Sequence, residues 1–116
     1  MADQPSTIPE SFAGLQEAFL PERAATVNKT IQFNFTGAEE GIWHMVVANG
    51  ALTCGQGAAE NPNATATVDS EDWLRLLRGE LNPMSAVISG KLKIKGDPLL
   101  LAQFQTWFRT PDSLSG

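Results

Sequence analysis

Asn49-Gly50 constrains this chain more than any other pair of residues. It joins two apolar runs, "GIWHMVVA" and "ALTC". A two-residue type I′ turn needs positive φ at both central positions, and Asn followed by Gly meets that need at little cost. The pair therefore predicts a tight hairpin between a strand over 42–48 and a returning strand over 51–54. The turn also fixes register: Ala48 faces Ala51, Met45 faces Cys54, and His44 faces Gly55. Successive side chains along a strand point to opposite faces, so the chain's only histidine and only cysteine should lie on opposite sides of the sheet.

Upstream, "KTIQFNFTG" alternates cleanly. Ile31, Phe33 and Phe35 point one way, and Thr30, Gln32, Asn34 and Thr36 the other, as in a half-buried strand. Downstream, "ATATV" at 64–68 reads as a short strand, and "KLKIK" at 91–95 as a fifth. Helices fill the gaps. Thr7 and Glu10 form a capping-box pattern before an apolar stripe of Ile8, Phe12, Leu15 and Phe19, giving a helix near 8–20. Asp69 or Ser70 caps a second helix that carries Trp73, Leu76 and Leu77 and stops at Gly79. Asn82-Pro83 opens a third, short helix whose large apolar positions are Met84, Val87 and Ile88. Asp97 caps a last helix with Pro98 at its first position and a broad apolar face of Leu100, Leu101, Phe104, Trp107 and Phe108. The order predicts an α+β fold: a five-stranded, mostly antiparallel sheet with helices packed on one face.

The totals fit this picture. A length of 116 residues suggests one domain spanning 1–116, with 1–6 and 110–116 expected to be flexible. Composition, 42% hydrophobic and 18% charged, is that of a soluble globular chain. A formal net charge of -5 argues against nucleic acid as a partner, because phosphates need many Lys and Arg. One cysteine allows no internal disulfide, and the N-terminal segment lacks the basic and apolar regions of a secretory signal. The expected location is the cytoplasm.

Chemistry is sparse. His44 has no Cys, Asp or Glu beside it to complete a metal site, and packing or a rim hydrogen bond is its plainer role. Cys54 lacks an activating base. Most carboxylates, including Glu10, Asp69, Glu71, Asp72 and Asp97, stand where helices begin, and capping accounts for them. Glu39 and Glu40 fall in a turn and read as solvated. "GQG" at 55–57 leads into neither GK nor a helix, so it is no phosphate loop. The reading is of no catalytic residues, no metal and no cofactor.

Apolar bulk is plentiful instead: three Trp, six Phe and three Met, with no Tyr. Two readings remain open on residues alone. The last helix docks on an ordinary core, or it closes a hydrophobic tunnel. Its far end, followed only by "RTPDSLSG", is expected to be free to fray and so to open the tunnel mouth.

"GKLKIKGDPLLLAQF" at 90–104 resembles the closing signature of the sterol carrier protein 2 family, in which such a lysine strand leads into a terminal helix. "TIQFNFTGAEEGIWHMVVANG" is similar to that family's first hairpin, and "NATATVDSEDWLRLLRGELNPMSAVISGKLKIKGD" to its middle and closing blocks. The likeness runs from about Phe12 to Phe108. It implies a five-stranded sheet and helices around an apolar tunnel for acyl chains or sterols, with no catalysis by the domain. Val87 stands where many members carry Phe, which implies a wider tunnel there. The C-terminus is not a peroxisomal tripeptide, so the likeness is to free-standing bacterial or archaeal members, for which a fatty acyl chain is a better ligand than a sterol.

The expectation is therefore non-catalytic lipid binding and intracellular transfer. The residues expected to line the tunnel are Phe33, Phe35, Met45, Val47, Trp73, Leu77, Met84, Val87, Ile88, Leu101, Phe104, Trp107 and Phe108. The alternative is an accessory or dimerisation module for a separately encoded lipid- or quinone-processing enzyme. Partners on these readings are a lipid or acyl ligand, a transient contact with an anionic membrane, and a homodimer or enzyme partner. Lys91, Lys93 and Lys95 should face water, with Leu92 and Ile94 facing the helices. There they guard an edge strand or meet anionic head groups.

Overall fold

A computed structural model describes residues 7–97 and 99–108. Residues 1–6, Pro98 and 109–116, and with them the expected flexible tails and the expected place of Pro98, lie outside the described residues. So do the side chains of Leu101, Ala102 and Gln105, although their backbone runs within the last helix.

The elements follow the order read from the sequence. Helix α1 spans Ile8–Ala18, strands β1, β2 and β3 span Lys29–Thr36, Gly41–Ala48 and Ala51–Gln56, and β4 spans Ala64–Asp69. Helices α2 (Ser70–Leu77) and α3 (Pro83–Ile88) come next, then β5 (Leu92–Gly96) and helix α4 (Leu99–Thr106). The strands form one mixed sheet in the order β3-β2-β1-β4-β5. Three pairings are antiparallel, and only β1 with β4 is parallel.

The turn at Asn49-Gly50 is as expected, with φ of 55 and 71 degrees. Its register holds residue for residue: Ala48 pairs Ala51, Met45 pairs Cys54, and His44 pairs Gly55. Asp69 is the cap of α2, its Oδ1 accepting from Glu71 N–H at 2.8 Å. Asn82 caps α3 through Met84 and Ser85 N–H, and Asp97 Oδ1 accepts from Leu99 N–H at 3.0 Å. Each such cap satisfies amide groups that helix geometry leaves open.

Period-2 alternation sets the layers. Ile31, Phe33 and Phe35 are buried under the helices, and so are Met45 and Val47. Their neighbours Gln32 and Asn34 bond each other on the opposite face at 2.9 Å. The loop at 57–63 crosses that opposite face to carry the chain from β3 to β4. Ala59 N–H donates to Gln32 Oε1, and Asn63 is joined to Thr30 by both its side chain and its backbone.

The two edges of the sheet differ. On β5, Leu92 is buried and Ile94 half-buried, while Lys93 and Lys95, with Lys91 just before the strand, are exposed. On β3 no charged side chain is present, and the Gln16 side-chain amide reaches Leu52 C=O at 3.5 Å.

One carboxylate expected to be merely solvated is structural. Glu39 is half-buried, and its Oε1 accepts from Ile8 N–H at the start of α1 at 3.1 Å. Its own N–H donates to the buried Ser70 Oγ at the start of α2. A turn after β1 thus holds the first turns of two helices, where a negative charge is favoured. Gly37 in the same turn has φ of +90 degrees, and a Cβ there would run into the Asp69 carboxylate.

Candidate functional site

The densest part of the molecule lies between the sheet and its helices. Phe33 is 3% exposed and stands at the centre of this layer. Four rings surround it: Phe12 of α1 at 5.5 Å, Phe35 at 6.1 Å, Trp73 of α2 at 4.9 Å and Phe104 of α4 at 6.4 Å. Phe12 also stacks on Trp43 of β2 at 4.9 Å. Such ring pairs add about 0.5–1.5 kcal/mol each beyond the area they bury. Met45 and Val47 continue the layer beneath β2 at 0% exposure, and Leu77 packs half-buried at its margin.

One polar contact crosses the layer. Trp73 Nε1–H donates to Ser11 Oγ at 2.9 Å, and Ser11 Oγ–H donates to Ile8 C=O at 2.6 Å. Ser11 is 1% exposed, yet every buried side-chain polar atom among the described residues has a partner. Ser11, Phe12 and Trp43 belong to the layer although they were not among the expected lining residues. Helical spacing carried the signal for Ser11, since it stands beside Phe12 and one turn from Ile8 and Leu15.

Cys54 points into this layer beside Met45, and burial pushes its thiol up to about 11. It therefore stays protonated and poorly nucleophilic near neutral pH. His44 stands on the other face, with its Nδ1 3.0 Å from Gly57 C=O. The two side chains lie on opposite faces, as the register requires. Among the described residues no cluster of three or more His, Cys, Asp or Glu could hold a metal ion. No helix among them is long and apolar enough to cross a membrane.

The expected lining residues divide into three groups. Phe33, Phe35, Met45, Val47, Trp73 and Trp107 are buried in the layer, and Leu77, Phe104 and Phe108 are half-buried against it. Leu101 belongs to α4, but its side chain is outside the described residues. Met84, Val87 and Ile88 stand elsewhere, 64%, 36% and 80% exposed on the outer arc of α3. In that helix the residue turned into the core is Ala86, at 0% exposure. At 3.6 residues per turn positions 84 and 88 stand opposite residue 86 and position 87 to one side, so burying the small residue turns the large ones outward.

The far end of α4, expected to fray, makes contacts with the segment after α1. Leu20 N–H donates to Trp107 C=O at 2.7 Å, and Phe19 and Phe108 form an antiparallel bridge. Their rings meet edge to face at 5.9 Å. Trp107 itself is 1% exposed.

The model of the SCP-2 sterol transfer family matches residues 12–109. The hydroxysteroid dehydrogenase-like protein 2 of Danio rerio is 33% identical over 91 residues, which are 78% of this chain and 22% of that protein. Among solved structures, a double mutant of the Pseudomonas sec-alkyl sulfatase PisA1 superposes with a TM-score of 0.84 at 19% identity, covering 91% of this chain and 17% of the sulfatase. The palmitated sterol carrier protein 2-like 2 of Aedes aegypti gives a TM-score of 0.66 at 20% identity, covering 90% of this chain and 99% of that one. This chain thus spans about a fifth of the zebrafish relative, and its fold recurs both as part of a long enzyme chain and as a domain of its own size. By the match over nearly its whole length, and by the mixed five-stranded sheet with its helical cover, the chain belongs to the SCP-2 sterol transfer family.

Proposed function

We propose that this domain binds one long apolar chain, a fatty acyl ligand rather than a sterol, between the sheet and α1, α2 and α4, and carries it without chemistry of its own. The observation that carries the reading is the composition of that layer. Phe33, Phe35, Met45, Val47, Trp73, Leu77, Phe104, Trp107 and Phe108 offer apolar surface, and the layer's one ionisable side chain named above, the Cys54 thiol, is held neutral. Acyl methylenes entering such a layer, by displacing side chains into a tunnel, leave water at a gain of about 0.8 kcal/mol each before ordering costs. Membership of a sterol transfer family supports an apolar ligand, and the palmitated state of the Aedes aegypti relative supports an acyl one. A lone cysteine suits a reducing compartment, and the proposal sets this carrier in the cytoplasm.

Calorimetry with acyl ligands of increasing length is the test. Affinity is expected in the micromolar range or better and to tighten with each added methylene. A flat series, or no heat of binding, overturns the carrier reading.

A second reading has its own support. The zebrafish relative and the sulfatase each contain this region within a much longer chain. The domain would then act as an accessory or dimerisation module beside a lipid- or quinone-processing enzyme. Native mass spectrometry of protein from its own organism separates the two. A retained lipid on a single chain supports the carrier, and a stoichiometric complex with an enzyme chain or a second copy supports the module.

A further inference from the structure

The outer arc of α3 is the one place where large apolar side chains gather in solvent on a described helix. Met84, Val87 and Ile88 are 64%, 36% and 80% exposed, and Ala86 is the buried residue of the helix. No charged residue interrupts the run from Leu81 to Gly90. Over the wider segment 81–96, the chain has three lysines and none of its thirteen acidic residues. Lys91, Lys93 and Lys95 are exposed, and none makes an ion pair among the described residues. The nearest acid before this stretch, Glu80, is engaged by Arg78 at 3.5 Å. The one after it, Asp97, is 4.0 Å from Lys29.

Geometry links the apolar arc to the lysines. Gly90 N–H donates to Val87 C=O at 3.2 Å and Lys91 N–H to Ala86 C=O at 2.9 Å. These two bonds form the left-handed cap that closes a helix, with Gly90 at φ of +82 degrees. Lys91 is thereby held at the end of α3, its N–H on Ala86 C=O. Lys93 and Lys95 follow along the edge strand in steps of about 7 Å, within a Debye length of about 8 Å at physiological salt. A long lysine side chain on a sheet edge can carry its ammonium group around the rim to a surface that its backbone does not face.

We propose that α3 with the lysines of β5 is the surface by which this domain docks on an anionic lipid bilayer. Met84, Val87 and Ile88 enter the boundary between head groups and acyl chains. Lys91 meets the head groups directly, and Lys93 and Lys95 add attraction across the interface. Charge points to an anionic surface as the occupant, because segment 81–96 holds three lysines and no acidic residue. The inference rests on the lipid-carrier reading and deepens it by assigning where the ligand is collected and delivered. The acyl site lies under α1, α2 and α4, so docking and acyl binding are separable.

The test is co-sedimentation of the full chain with phosphatidylcholine vesicles, with and without phosphatidylglycerol, at low and high salt. The native chain is expected to sediment with the anionic vesicles and to lose most of that binding at high salt. Met84→Ser with Ile88→Ser should weaken vesicle binding at least tenfold with an unchanged urea midpoint. Lys91→Gln, Lys93→Gln and Lys95→Gln together should abolish the preference for phosphatidylglycerol while leaving acyl affinity in solution unchanged. If the serine variant is misfolded, the lysine variant decides alone. Vesicle binding that survives both sets of substitutions overturns the docking surface. So does a native dimer in sedimentation velocity that the serine pair converts to monomer. Acyl binding without vesicle binding overturns docking only, and vesicle binding without acyl binding overturns the carrier reading only.

Discussion

On the covered face of the sheet, Phe33 has four aromatic rings within 6.4 Å. On the open face its neighbours Gln32 and Asn34 bond each other, and a single loop passes over them. These positions are adjacent in sequence and share one backbone ladder, yet their side chains meet different solvents. Among the described residues the covered face is an apolar medium crossed by the Trp73–Ser11 hydrogen bond. The open face is wet, and its polar groups exchange bonds with loop backbone. Stability and apolar binding should therefore concentrate on one side of a sheet only one residue thick, and substitutions on the two sides should differ in kind.

The largest expected contrast is between Phe33→Ala and Asn34→Ala. The first removes a buried ring and should cost about 3–5 kcal/mol. The second loses one partly exposed hydrogen bond and should cost no more than about 1 kcal/mol. Urea denaturation of the two variants measures both, and near-equal losses would break the comparison. Next in size is the polar bridge inside the covered face. Ser11→Ala leaves the Trp73 N–H buried without an acceptor and should cost about 1–3 kcal/mol. Trp73→Phe removes the stranded N–H, so the double variant should lose less than the sum of the two single losses, and strict additivity would mean the bond contributes nothing.

A smaller effect depends on pH. The Cys54 thiol is raised from 9.0 to about 11 by burial, while the unfolded chain keeps the ordinary value. Between these values the folded state holds the extra proton, so stability should fall as pH rises from about 9 to 11 and should not depend on this group below that window. Cys54→Ser should flatten the fall, as followed by urea midpoints across the same range. Smallest of all, His44→Ala with Cys54→Ala should leave acyl affinity within a few-fold in calorimetry once folding is verified. A complete loss in a folded double variant would mean that the site needs a polar group.

Local chemistry was legible in the sequence wherever one or two neighbouring residues decide the outcome. The Asn49-Gly50 turn specified the β2–β3 register, and with it the separation of His44 from Cys54. Caps at Asp69, Asn82 and Asp97 marked three helix starts, and alternation sorted Phe33 and Phe35 from Gln32 and Asn34. What depends on distant partners was not legible. Glu39 looks solvated until folding brings Ile8 and Ser70 to it, each 31 positions away. The parallel pairing of β1 with β4 follows from where the 57–63 loop runs, and alternation does not encode that path. In α3, hydropathy favours Met84 and Ile88 as the buried positions, yet Ala86 is the residue at 0% exposure. Of the residues proposed to line the site, those on the strands and on α2 lie in or against the covered layer, and Met84, Val87 and Ile88 of α3 are exposed.

Strand β1 has a consequence for how the chain is made. It stands at the centre of the sheet, with β2 on one side and β4 on the other. During synthesis from the N-terminus, β1, β2 and β3 can pair as soon as Gln56 has emerged. Until β4 follows, the second edge of β1 is bare, and Phe33 and Phe35 lack the cover of Trp73 and Phe104. An open strand edge beside exposed aromatic rings is a template for aggregation. At about 5–20 residues per second, the stretch from Gln56 to Trp107 takes roughly 3 to 10 s to appear. Within that interval β4 closes the edge of β1 first, and α2 and α4 cover its rings later, so a translational pause before Trp107 would prolong the exposure of those rings.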